Sequence, residues 1–422
     1  MLGREGGAQG GEKKKSSAAG RLSRRFRKFG DMVEFIKLSN LFSIDEEVTL
    51  DLRAAPSRSN AMRRLVGNTF ERGGQQVLKS VGIFGANAAG KSNVLNAIRA
   101  CVDIILHSHA NNDGDRLRFA PFKFGGGGRP SSFLIRFETG GTAYEYGFTM
   151  TTEGVETEAL SLVSTRGRRV SVFERDERRG KGAAAYKFGA GITRPADVAE
   201  STPGNCLFLS RASQMNRDAV KPVYRFFRDA FVLDYYKTPY AEFVSDRLER
   251  YKGWMLDAMA AADMDIVDVR WRTEAGRLVL TTYHRNDPSV PFDYHTEESG
   301  GTRTLFNMML SLVSLADSDG KFVLVDEIEA GLHYRLVEHV IKMFHRSASS
   351  QLVFTSHDLM LLDADVLRRD QVCFANKLPS GATELYSLFD FNGFKDGMDM
   401  RKYYLQGRFA AVPYVREEEY GA

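Results

Sequence analysis

Apolar residues recur along this chain with two periods, and the points where the period changes mark out its elements. From Val33 to Leu52, Phe35, Ile36 and Leu38, then Val48, Leu50 and Leu52, follow the alternation of half-buried strands that open a sheet. Val81-Gly82-Ile83-Phe84 is a short continuous apolar run, the pattern of a buried strand, and directly after it Val94, Leu95, Ile98, Cys101, Val102 and Ile105 return at helical spacing. Residues 131–150 predict a hairpin, with Phe133 to Phe137, a Gly140-Gly141 turn, then Tyr144 to Phe148. More strands are expected between Val155 and Phe173. They are followed by an exposed, polar, Gly-rich loop over 174–205, a helical stretch from about Asn216 to Ala262, and a hairpin around Gly276.

The C-terminal third is more specific. Phe322-Val323-Leu324-Val325 and Gln351-Leu352-Val353-Phe354-Thr355 read as buried strands, and Leu336, Val337, Val340, Ile341 and Phe344 form a helical stripe between them. A strand, crossover helix and parallel strand bring the residues that close the two strands, Asp326-Glu327 and Ser356-His357-Asp358, to one edge of a sheet. Glu298-Ser299-Gly300-Gly301-Thr302 opens a helix with an apolar face of Leu305, Met308, Met309, Leu312 and Leu315, and Ser299 can cap it. No repeat and no sustained heptad pattern is present, so a long coiled-coil arm is not expected.

Length and composition bound the picture. The 422 residues, 43% hydrophobic, allow one large unit with an inserted subdomain. No run approaches 18 uninterrupted apolar residues and the most hydrophobic helix is broken by Asp103, which disfavours a membrane span. Cys101, Cys206 and Cys373 are isolated and lack metal spacing, which suits a reducing, cytoplasmic setting. The net charge of +4 is uneven: residues 1–31 hold nine Lys/Arg against three acidic residues, leaving 49 basic and 51 acidic residues elsewhere. The tail, with Lys13-Lys14-Lys15 and Arg24-Arg25-Phe26-Arg27-Lys28, lacks the apolar core of a secretory signal. A disordered basic tail, a tether to nucleic acid or a membrane surface, and an upstream start with Met32 as the functional one are its three readings.

Chemistry enters at Gly85-Ala86-Asn87-Ala88-Ala89-Gly90-Lys91-Ser92, which fits G-x-x-x-x-G-K-[ST] between the buried strand and the helix. The glycines let the backbone wrap phosphate, successive N–H groups and the helix N-terminus face the anion, Lys91 reaches the β- and γ-phosphates, and Ser92 ligates Mg²⁺. Asp326 suits the Walker B role toward Mg²⁺, Glu327 can take a proton from an attacking water, and His357 can bond the γ-phosphate. Asn376-Lys377-Leu378-Pro379 lacks the Asp of a guanine-reading N-K-x-D pattern, favouring ATP over GTP. His107-Ser108-His109 has no third ligand nearby and reads as a helix end. Arg166, Arg168, Arg169, Arg175, Arg178, Arg179 and Lys181 crowd one segment opposed by Glu174, Asp176 and Glu177, either a solvated hairpin or a contact for DNA or a protein partner.

In this order, GANAAGKSN (closing on Asn93), ESGGT, FVLVDEIEAGLH and FTSHD resemble the SMC/RecF/OLD-related branch of AAA-family ATPases, and more narrowly the AbiL-type abortive-infection ATPases of bacteria. Met32 to Phe35, Pro121-Phe122, Arg368-Arg369-Asp370, Glu384-Leu385-Tyr386 and Tyr404 to Phe409 share that likeness, which covers about residues 32–415. It implies an α/β fold, a P-loop NTPase head of ABC/SMC type with a mixed sheet and an inserted helical subdomain. The expected divisions are a tail over 1–31, the first part of the head over 32–150, inserted strands, loop and helices over 151–290, and the second part of the head over 291–422. It also implies a homodimer with ATP sandwiched between Lys91 and Ser92 of one copy and Ser299, Gly300, Gly301 and Thr302 of the other. A separate nuclease or toxin effector in antiphage defence would be its partner. Two departures stand out. No Gln occurs between Phe84 and Cys206 to serve as a Gln-loop, and the signature opens with Glu298 where transporters commonly have Leu. The rival readings are a RecF-like DNA repair ATPase that engages nucleic acid, and a nucleotide-gated scaffold with little turnover.

Overall fold

The strands form four sheets, and the two largest differ in how deeply their central strands are buried. The structure, a computed structural model, describes residues 31–409 except 57–58, 73, 190, 193–194, 234–240, 261–263, 275–276, 317–319 and 331. The basic tail expected over residues 1–31 lies outside the described residues except for Asp31. The chain opens with β1 (Met32–Ser39), β2 (Val48–Asp51), the short helix α1 (Asn60–Arg64) and the hairpin β3 (Thr69–Arg72) and β4 (Gln75–Leu78), then enters β5 (Ser80–Phe84). Helix α2 (Lys91–His107) precedes β6 (Ser131–Thr139), β7 (Thr142–Thr151), β8 (Gly154–Val163), β9 (Arg169–Asp176) and β10 (Tyr186–Phe188). Helices α3 (Pro195–Glu200), α4 (Phe208–Gln214) and α5 (Lys221–Ala230) lead to β11 (Phe231–Val232) and α6 (Ala241–Ala260). Then come β12 (Ile266–Glu274), β13 (Arg277–His284), β14 (Asp287–Asp293) and α7 (Gly300–Ala316). The remainder is β15 (Phe322–Val325), α8 (Tyr334–Arg346), β16 (Gln351–Ser356), β17 (Val372–Lys377), β18 (Thr383–Ser387) and α9 (Met400–Leu405).

The first sheet has the order β10-β9-β8-β7-β6-β1-β2 and the second β11-β15-β16-β5-β17-β18. The first is antiparallel throughout, whereas in the second only β18 runs against its neighbour. Burial explains the division. Along β6, Phe133, Ile135 and Phe137 are buried and alternate with half-exposed residues, whereas β5, β15 and β16 are buried at every position. Strands of the second kind need cover on both faces. One face sends Ile83, Leu324 and Val353 into the core shared with α2 and the first sheet. The other sends Val323, Val325 and Phe354 against residues of α7 and α8. Phe137 stacks on Phe226 with ring centroids 4.1 Å apart, which pins α5 beneath the antiparallel sheet. A buried pair of this kind adds about 1 kcal/mol beyond its area.

The α/β class, the mixed sheet and the β15–α8–β16 parallel unit agree with the sequence reading. β1 and β2 do open a sheet, the antiparallel one, where their alternating pattern matches one covered face. Three details differ. The stretch 174–205, expected as an exposed loop, carries β10 and α3 and buries Tyr186, Val198 and Ala199. Inside the expected helical stretch, Phe231-Val232 forms β11 and pairs with β15. The boundary expected between residues 150 and 151 falls inside the β7–β8 hairpin, so β8 to β10 complete the first sheet. β12 pairs with β13 around Gly276, with the turn itself outside the described residues. Among the described residues no helix is long and apolar enough to cross a membrane.

Candidate functional site

The loop between β5 and α2 is cradled tightly from behind. Gly85 has φ +147°, and a Cβ there would run into the carbonyl of Ala375 on β17. Gly90 has φ +97°, and a Cβ there would collide with the Thr383 hydroxyl on β18. Both motif glycines are therefore required by backbone conformation and by close approach. Thr383 Oγ1 donates to Ala89 O at 2.9 Å and lies 2.7 Å from Ser43 Oγ, which accepts from Asn93 Nδ2 at 2.9 Å. Asn87 and Ala88 stay exposed at the crest. Gly90 offers no side chain to cap α2, which leaves its first amides to an anion.

Lys91 Nζ donates to Gly85 O and Ala86 O at 3.0 Å each and sits 3.3 Å from His357 Nδ1. Only 5% of Lys91 is exposed. Burial pushes its pKa down, against the opposing pull of Glu329, Asp326 and Glu327. An ammonium held this way, on carbonyls and an imidazole, suits an incoming phosphate.

The carboxylates arrive from β15. Ser92 Oγ donates to Asp326 Oδ1 at 3.0 Å, and Thr355 Oγ1 donates to the same oxygen at 2.6 Å. Glu327 follows with an exposed side chain and φ +48°. Its N–H donates to Thr355 Oγ1 at 2.7 Å. The His357 N–H donates to Glu329 Oε1, whereas Glu329 Oε2 is buried without a hydrogen-bond partner among the described residues. The β15-β16-β5 order thus brings Lys91, Ser92, Asp326, Glu327 and His357 to one edge, as their spacing predicts. Ser43, Thr383, Thr355 and Glu329 went unassigned in the sequence reading. The last two lie inside the quoted FTSHD and DEIE motifs, whereas nothing in the sequence marks the first two.

The Ser299–Thr302 segment has a different character. Ser299 Oγ accepts the Thr302 N–H at 3.1 Å and meets Thr302 Oγ1 at 2.8 Å, capping α7 as expected. Glu298 is buried, accepts from the Thr282 hydroxyl and lies 2.9 Å from His284 Nε2, which ties the helix start to β13. This anchoring role accounts for an acid where an apolar residue was the comparison. Ser299 and Gly300 are exposed, and a Cβ at Gly300 would meet nothing within 4 Å.

Other candidates resolve differently. Arg175, grouped with the surface arginines, is 2% exposed and donates to Cys206 O at 2.7 Å and Glu177 Oε1 at 2.6 Å. It faces the buried Glu158, which accepts from the Phe208 and Leu209 amides. Arg178 pairs with Asp176 and Arg169 with Glu145, while Arg166 and Arg168 stay exposed beside the β8–β9 turn. His107 meets Asp103 and His109 meets Ser210, so the two rings serve separate contacts. Asn376 and Lys377 lie in β17, paired with Glu384 and Thr383.

A phosphate cradle braced by hydroxyls and faced by a carboxylate pair from the next strand but one is that of a P-loop nucleotide-binding protein of the ATPase kind. The chain belongs to the family described as "AAA domain, putative AbiEii toxin, Type IV TA system", whose sequence model matches residues 80–363. Among solved structures, the SmcHead bound to the C-winged helix domain of ScpA is 16% identical, with 84% of this chain and 97% of that chain covered and a TM-score of 0.41. The SMC head domain from Thermotoga maritima is 13% identical, covering 84% of this chain and 98% of that one with a TM-score of 0.39. No curated protein matches the chain.

Proposed function

We propose that the protein is a cytoplasmic Mg²⁺-dependent ATPase in which two copies close on ATP and thereby control a separate effector in bacterial antiphage defence. The observation that carries the reading is the 3.0 Å bond from Ser92 to Asp326 beside the buried Lys91. A hydroxyl and a carboxylate are hard oxygen donors suited to Mg²⁺, so Ser92 and Asp326 would hold the ion, which when bound neutralises charge on the β- and γ-phosphate oxygens. The amides from Gly85 to Asn93 bind the phosphates, and Lys91 exchanges loop carbonyls for phosphate oxygens. Glu327 accepts the proton of the attacking water, and His357, within reach of Lys91, orients the γ-phosphate.

Ser299, Gly300, Gly301 and Thr302 of the second copy complete the site. Support comes from the open space at Gly300, since nothing packed within its own chain requires a glycine there. The family description, which joins an AAA domain to a toxin of a toxin–antitoxin system, supports the defensive setting and the effector. The test is steady-state turnover together with size-exclusion chromatography in ATP. Glu327→Gln should lower kcat by about 100-fold or more, the range of a lost general base, while keeping ATP and accumulating as a dimer. A wild-type protein without turnover, or a variant as active as wild type, refutes the proposal.

A further inference from the structure

We infer that Thr355 is a positioning residue for hydrolysis, its single hydroxyl setting the geometry of both Walker B carboxylates without taking part in nucleotide binding. The inference rests on the hydrolytic reading of the site. A threonine hydroxyl has one proton and two lone pairs. Here the proton goes to Asp326 Oδ1 at 2.6 Å, and a lone pair receives the Glu327 N–H at 2.7 Å. Thr355 is fully buried at the end of β16, where its neighbours Leu352, Val353 and Phe354 are apolar and equally buried. A hydroxyl in such a place is costly unless it is used, and both of these bonds lead to the chemistry.

The two bonds do separate work. On the Asp326 side, Oδ1 receives Ser92 Oγ as well as Thr355 Oγ1, so the carboxylate is held by donors from two elements and cannot rotate freely. On the Glu327 side, the amide bond stabilises a backbone at φ +48°, a region that a long L side chain seldom adopts and that persists only when its surroundings hold it. Ile328 N donating to Thr355 O at 3.0 Å and Ala330 N donating to Glu327 O at 2.8 Å complete the clamp. Without the hydroxyl, the Glu327 backbone relaxes and its exposed carboxylate leaves the place from which it serves the water. Lys91 and the loop amides touch neither bond, so binding is spared.

Valine has the shape of threonine without the hydroxyl, and serine keeps the hydroxyl without the methyl. In the full-length protein, T355V should bind a fluorescent ATP analogue within about threefold of wild type yet lose on the order of 20-fold in kcat, with KM little changed. Amide hydrogen exchange over residues 322–330 should speed up about tenfold in T355V, a readout independent of activity. T355S should restore both. Wild-type turnover and exchange in T355V, or a T355S as impaired as T355V, overturns the inference. Should T355V fail to fold, T355A set against T355S makes the same comparison. If the wild-type protein turns over no ATP, the proposed function falls, and the exchange comparison still decides whether the Thr355 hydroxyl holds the turn.

Discussion

The phosphate-loop half and the signature half of the proposed site follow opposite rules. Around Lys91, the bracing groups come from Ser43, Asp326, Thr355 and Thr383, far apart in sequence, and both motif glycines are explained by neighbours in the same chain. At Ser299 to Thr302 the bonds are local, the Glu298 anchor lies beneath, and Gly300 faces open space. One half is finished within a single chain. The other leaves Ser299 and Gly300 exposed, and on the proposed reading a second copy closes over them.

The largest expected effect breaks the first half. Lys91→Ala should weaken ATP binding by about 100-fold, near 3 kcal/mol, through loss of charge-assisted bonds to phosphate, as measured by titration calorimetry. An unchanged Kd would mean that the cradle does not hold triphosphate. A smaller effect sharpens the second half. Gly300→Asp places an acid in the first turn of α7, where it favours the helix, so thermal unfolding should not suffer. Turnover should nevertheless fall roughly tenfold and the ATP-dependent dimer should weaken, because the added carboxylate repels the partner's γ-phosphate. Full activity in that variant would remove the reason for a second copy.

The smallest effect lies at the amino end of β5, the strand that leads into the phosphate loop. His345 Nε2 lies 2.8 Å from Ser80 Oγ, and burial, with Lys79 and Lys342 adding to it, lowers the imidazole pKa to about 3. The unfolded chain takes up a proton below its ordinary pKa of about 6.5, whereas the folded chain resists it until near 3. Stability contributed by this group is therefore full above pH 6.5 and declines as pH falls toward 3, by about 1 kcal/mol at pH 5.5. Urea unfolding at pH 7.5 and 5.5 should show this slope in wild type and a flatter one in His345→Gln.

Legibility in the sequence follows distance along the chain. Gly85 to Ser92, Asp326-Glu327, Ser299 to Thr302 and His357 could be read because each motif carries its chemistry within a few residues, on a strand end or helix start that periodicity reveals. Arg175 was misgrouped because its run of arginines looks solvated. The β9 strand turns that one residue inward, and the carbonyl that satisfies it, Cys206 O, comes from another segment. Phe231-Val232 was hidden because two residues are too few to show a period, and only pairing with β15 makes them a strand.

By itself the sequence determined the start of α7, the β15–α8–β16 unit, the phosphate loop, and the carboxylates and histidine that face it, since all of these depend on neighbours a few positions away. Tertiary structure alone decided which sheet receives β1 and β2, which hydroxyls brace the loop, and that one threonine bonds both the Asp326 carboxylate and the Glu327 amide. Those outcomes depend on contacts such as Ser43 with Thr383, 340 residues apart, and periodicity within a segment holds no record of what the rest of the chain will bring against it.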